Sequence, residues 1–165
     1  MLVISDTSPL NYLILIDAVH VLPVMYGRVL VPTAVAQELS AAGTPEKARQ
    51  WFANHPAWIE VHSVSTAISY PELDPGEGQA IALAKSLHAD LLLVDERRAT
   101  SVARDREALR TTGTLGVLLD AALMGLTELS SSLLLLEQNT TFRAPTTLYK
   151  QVVQEYERRK KPTGG

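Results

Sequence analysis

The run Leu91-Leu92-Leu93-Val94 restricts the architecture of this chain more than any other stretch. Four consecutive apolar residues between Asp90 and Asp95 leave neither face of an extended segment suited to water. A strand of that kind needs cover on both sides, as a central strand of a parallel sheet has between two layers of helices. Leu2-Val3-Ile4 repeats the pattern and stops at Ser5-Asp6; Arg28-Val29-Leu30-Val31 repeats it and stops at Pro32. Trp58 to Val61 alternates as an edge strand would, and Ala108 to Thr111 suggests one more short strand.

Helical segments separate these runs. Ser8 reads as an N-cap with Pro9 in the first helical position, opening a helix to Asp17. A second piece covers Ala18 to Met25, bent near Pro23 and ended by Gly27. Pro32 and Thr33 open a helix closed by Gly43, and another runs from Thr44 to Phe52. Ser63 to Gly76 is irregular. Further helices are expected from Glu77 to His88, Glu96 to Asp105, Thr114 to Met124, Ser131 to Gln138, and Pro145 to Arg159. Strands alternating with helices imply right-handed crossovers. The expected fold is α/β, a three-layer α/β/α sandwich with a mainly parallel central sheet, in one domain over residues 1–159 and a disordered tail over residues 160–165.

No cysteine is present, which excludes disulfides and thiolate zinc sites together and fits a reducing compartment. Asp6 interrupts the first apolar run before it could serve as a signal peptide, and Leu133-Leu134-Leu135-Leu136 is too short to cross a bilayer. The expectation is a soluble, cytoplasmic protein without membrane contact. Its net charge of −3 runs against nucleic-acid binding by phosphate neutralisation alone. A nucleic-acid substrate therefore requires a local cation or a basic patch.

Acids supply the first of these. Asp6 and Asp95 each end an apolar strand, and parallel strands bring such ends to one edge of the sheet, where α/β proteins place their ligands. Glu38 follows Val35 at i+3 and borders the buried stripe of its helix. Glu77 precedes Ile81, Ala84 and His88 at i+4, i+7 and i+11, which puts it on the face that packs against the sheet. Taken singly, each has a structural reading: Asp6 and Asp95 as caps, Glu77 as a partner of the helix dipole, Glu38 as a solvated border residue. Asp74, before Pro75, is a turn former first. Together, converging carboxylates repel one another and take up protons unless a cation shares the site. Oxygen donors without Cys or clustered His select Mg²⁺ or Mn²⁺. Such an ion activates water for attack on a phosphodiester.

The ordered set Asp6-Thr7-Ser8-Pro9-Leu10, Glu38, Leu73-Asp74-Pro75-Gly76-Glu77-Gly78-Gln79-Ala80, Leu93-Val94-Asp95-Glu96 and Gly113-Thr114-Leu115-Gly116 resembles the PIN-domain superfamily. Within it, the DTSPL start and GTLG helix resemble a VapC-like branch. The segment from Phe142-Arg143-Ala144-Pro145 to Val152-Val153 is similar to that branch too, so the likeness spans nearly the whole chain. It implies a metal-dependent ribonuclease with Asp6, Glu38, Glu77 and Asp95 as catalytic acids. Asp6, Glu77 and Asp95 would ligate Mg²⁺ or Mn²⁺, and Thr7 and Thr114 would be polar neighbours. It also implies an RNA substrate, a homodimer, and a small antitoxin partner if the protein is the toxin of a pair. Glu77 departs from the Asp common in the wider superfamily. Basic residues near the site are few: Arg97, Arg98 and Arg104, which read equally as a solvated helix face.

Two alternatives stand beside this reading. One is a non-catalytic PIN-like module that binds RNA or protein. The other is a haloacid-dehalogenase-like phosphatase, which would need a second Asp two residues after the first; Ser8 occupies that place.

Overall fold

A computed structural model describes residues 1–65 and 68–160. Its strands are β1 (Val3–Ser5), β2 (Val29–Pro32), β3 (Ile59–His62), β4 (Leu91–Leu93) and β5 (Thr111–Thr112). They form one sheet in the order β3-β2-β1-β4-β5, with every pairing parallel. Trp58 to Val61 thus does lie at an edge. The helices are α1 (Thr7–Leu15), α2 (Val21–Tyr26), α3 (Thr33–Leu39), α4 (Glu46–Ala53), α5 (Pro75–Ser86), α6 (Arg97–Ser101), α7 (Thr114–Leu123), α8 (Leu129–Asn139) and α9 (Thr146–Lys160). The result is the three-layer α/β/α sandwich.

The pleat explains the two cores. Successive side chains of a strand point to opposite faces, so the unbroken apolar runs feed both. Val3, Val29, Val31, Leu91 and Leu93 pack with residues of α1, α2, α4, α7 and α8 on one side. Ile4, Leu30, Leu92 and Val94 pack with α5 and Ala99 of α6 on the other. No helix among the described residues is long and apolar enough to cross a membrane.

Several boundaries differ from the sequence expectation. Helix α1 starts at Thr7, with Asp6 in the N-cap position and Ser8 already inside the first turn. Helix α2 runs unbroken across Pro23, which sits in the first turn, where a backbone N–H has no helical partner to lose. Helix α3 ends at Leu39 rather than at Gly43, where Ser40 turns its hydroxyl onto the Ala36 carbonyl at 2.8 Å. β5 begins only at Thr111 because Ala108 takes a left-handed conformation with φ 54°. α6 passes into a π-helical turn over Val102–Arg106 that no residue spacing announced. Lys160 belongs to α9, and the remainder of the expected tail lies outside the described residues.

Candidate active site

The register of β1 on β4 pairs Ser5 with Leu93, and the Asp6 N–H continues the ladder to the Leu93 carbonyl at 2.9 Å. Asp6 and Asp95 therefore leave the same, C-terminal edge of the sheet. Asp6 is 3% exposed. Its carboxyl does not cap α1, although its backbone occupies the cap position, and Oδ1 has no hydrogen-bond partner among the described residues. Burial pushes this carboxyl up to about 8; a contact from the Thr7 backbone pulls it down, while Glu77, Asp74 and Glu38 push it up further.

Glu38, on α3, is held from two sides. The Gly76 N–H donates to Oε1 at 3.1 Å and the Thr7 hydroxyl donates to Oε2. Gly76 is required here for its lack of a side chain: a Cβ would sit 2.8 Å from the Glu38 carboxyl carbon. The α3–α5 junction is fixed by Gln79, whose Oε1 accepts from the Ala34 N–H at 3.0 Å.

Glu77 lies in the first turn of α5, which starts at Pro75 rather than at Glu77 itself. Asp74 and Glu77 form a capping box: the Glu77 N–H donates to Asp74 Oδ1 at 2.9 Å and the Asp74 N–H to Glu77 Oε2 at 3.2 Å. Desolvation pushes Glu77 up to about 7; the hydrogen bond from the Asp74 backbone opposes that shift, and the charges of Asp74 and Glu96 reinforce it. Asp95 does not cap α6; Glu96 does, accepting from the Ala99 N–H at 2.8 Å. Asp95 instead accepts from the backbone N–H and the hydroxyl of Thr114, each at 2.7 Å, tying β4 to the start of α7. Burial raises its carboxyl and the two Thr114 bonds counter the rise.

Asp6, Glu38 and Glu77 thus share one electrostatic neighbourhood, and Asp95 borders it from the next strand. The donor set is of the hard-oxygen kind that suits Mg²⁺ or Mn²⁺. The partnerless Asp6 Oδ1 is a buried anion site that either a proton or a cation must satisfy. In kind, the residues fit a divalent ion. In position, Glu38, Glu77 and Asp95 are each engaged by hydrogen bonds from Thr7, Gly76, Thr114 or the capping box, and no three acidic or histidine side chains among the described residues stand ready to enclose an ion.

Thr7 and Thr114 are the neighbours the sequence suggested. Gln79, the capping role of Asp74 and the close approaches at Gly76 and Gly113, where a Cβ would sit 2.7 Å from Asp95 Oδ1, were missed. The Asp74-Pro75-Gly76-Glu77 spacing before an apolar helix was the available signal for the capping box. The three arginines separate: Arg97 and Arg104 line a groove beside Asp95, whereas Arg98 adds its field to that of Arg106 at Glu72.

Replacing Gly76 with Ala should displace the Glu38 carboxylate. Alanine is the better helix former by up to about 1 kcal/mol. Thermal unfolding should therefore stay near the wild-type midpoint while any cleavage activity falls by about tenfold or more. Unfolding and activity losing ground in proportion would mean that Glu38 is only structural.

The DUF3368 family model, a PIN domain, matches residues 2–158. No curated protein and no solved structure gives a significant match. With its family model covering nearly the whole chain, this protein belongs to the DUF3368 family of PIN domains.

Proposed function

We propose that the protein is a ribonuclease that hydrolyses RNA phosphodiesters with Mg²⁺ or Mn²⁺ held by Asp6, Glu77 and Asp95. PIN domains are nuclease-type folds that typically use divalent metals, and membership in that family is the starting support. The observation that carries the reading is Asp6 itself: buried, partnerless at Oδ1, and surrounded by other acids. A position of that kind is costly to the fold unless an ion or a proton resolves it. Here a bound divalent ion would polarise the phosphoryl oxygen and acidify a water.

The remaining work falls to side chains. Glu38, fixed by Thr7 and Gly76, accepts a proton from, or orients, the attacking water. Asp95 is fixed by Thr114 against rotation. The buried surroundings of Asp6 strengthen each charge interaction in the pocket. A role as the toxin of a VapBC-type pair, restrained by a small antitoxin, and a homodimeric state complete the proposal on family kinship.

The hydrogen bonds that already engage Glu38, Glu77 and Asp95 favour a second reading, a non-catalytic PIN-like module that binds RNA or protein. Incubating purified protein with RNA and Mn²⁺ distinguishes the two. The nuclease reading expects cleavage that Asp6→Asn abolishes. Cleavage equal in wild type and variant would expose a contaminant and leave the binding module.

A further inference from the structure

A groove of about 700 Å³ opens beside Asp95, between α6 with its π turn and the segment running from Phe142 into α9. Three guanidinium groups line it: Arg97 and Arg104 on one wall, Arg143 on the other. Their charges have no carboxylate partner among the described residues. Arg104 is oriented by Thr111, its Nε donating to the hydroxyl at 2.6 Å and its Nη2 to the carbonyl at 3.4 Å. Arg143 donates from Nη1 to the Phe142 carbonyl at 2.7 Å and the Thr140 carbonyl at 3.1 Å. Neutral acceptors aim these groups without cancelling their charge. Elsewhere, Arg28, Arg106, Arg158 and Arg159 meet carboxylates, while Arg49, Arg98 and Arg110 are likewise without an ion pair among the described residues but stand outside the groove. Glu96, the acid beside Asp95 in the groove, spends its carboxylate on the cap of α6.

The floor of the groove is of different chemistry. Tyr12 and Phe142 meet edge to face with centroids 5.2 Å apart, and Leu115 and Leu148 lie beside them. Unpaired cations on the walls over an aromatic and aliphatic floor match a chain that alternates anionic links with flat apolar faces. A duplex hides those faces in its stack. An acidic peptide would satisfy the arginines, yet it brings no series of flat apolar faces to the aromatic floor.

We infer that this groove binds single-stranded RNA, with Arg97, Arg104 and Arg143 on successive backbone phosphates as the strand leads to Asp95. The inference rests on the nuclease reading for its substrate class and adds to it the path of the strand. It also answers the net charge of −3, because the attraction is confined to one groove.

Binding of a fluorescently labelled single-stranded RNA, followed by anisotropy in EDTA over a salt series, tests the assignment without cleavage. Arg97→Ala, Arg104→Ala and Arg143→Ala should each weaken binding by about fivefold and lower the log–log salt slope by about 0.7. Arg97 makes no side-chain hydrogen bond or ion pair among the described residues, so its loss leaves the fold intact. Arg28→Ala, which removes the same charge where β2 begins at the opposite edge of the sheet, should bind as wild type does. Wild-type affinity in all three groove variants, or equal weakening by Arg28→Ala, overturns the groove. So does a wild type that binds no RNA, whether or not it binds a labelled acidic peptide. Groove-dependent binding without Mn²⁺-dependent cleavage upholds the groove and removes the nuclease reading; cleavage with unaltered binding in the variants does the reverse.

Discussion

Asp6→Asn is expected to lower Mn²⁺-dependent RNA cleavage by at least about 100-fold while leaving the fold intact at neutral pH. The two parts of the expectation share one cause. At pH 7 the metal-free Asp6 carboxyl holds its proton, since burial and its acidic neighbours push it up to about 8. Asparagine is the neutral isostere of that state, so the folded protein loses no charge that it carried. What it loses is the ability to present a negative oxygen to a cation at Oδ1, the atom with no partner of its own. An electrophoretic cleavage assay, run beside circular dichroism on the same preparations, separates the two effects. A variant that unfolds, or one that cuts at the wild-type rate, contradicts this role.

The second large effect is on stability as a function of pH. Asp6 ordinarily titrates at 3.8 and in the fold at about 8, so between those values the folded chain keeps a proton that the unfolded chain has released. Stability linked to that proton is fully present below about pH 4, falls as pH rises, and is lost above about pH 8. Glu77, raised from 4.5 to about 7, acts in the same direction, discounted because it is only half-buried. In EDTA the wild type should therefore lose on the order of 3–5 kcal/mol between pH 4 and 8 relative to Asp6→Asn. Urea unfolding of both proteins at several pH values measures it. Parallel curves would mean that Asp6 is ionised and satisfied in the fold, and the case for a cation would lose its driving force.

Residue patterns carried the sheet well and the loops poorly. Leu91 to Val94 and Leu2 to Ile4 announced strands with two covered faces because every pleated position in them is apolar. Their terminal acids followed from parallel pairing alone, so the meeting of Asp6 and Asp95 at one edge was legible. The location of Glu38 and Glu77 beside Asp6 was legible only as helix faces. The actual bonding of Glu38 depends on Thr7 and Gly76, contacts that join residues 31 and 38 positions apart, whereas Glu77 bonds locally to Asp74. The assignment of Ser8 as a cap failed because Ser-Pro is a common helix start, while here the strand ladder extends to the Asp6 N–H and starts the helix one residue earlier than Ser8. The π turn after Ser101 left no mark in the spacing, yet with it Arg104 reaches Thr111 while Arg106 turns to Glu72 and the Tyr70 ring. Arg143, over thirty residues past Arg104 in the chain, shares a groove with it only through tertiary packing.

Calorimetric titration of the metal-free protein with Mn²⁺ at pH 7, in two buffers of different ionisation heat, puts the carboxylates to the question without RNA. Binding should release more than one proton, nearly one from Asp6 and about half of one from Glu77, and both the heat and the proton release should vanish in Asp6→Asn. Asp6→Asn taking up Mn²⁺ as wild type does, or a wild type that shows no binding at all, would contradict a divalent centre at this edge of the sheet.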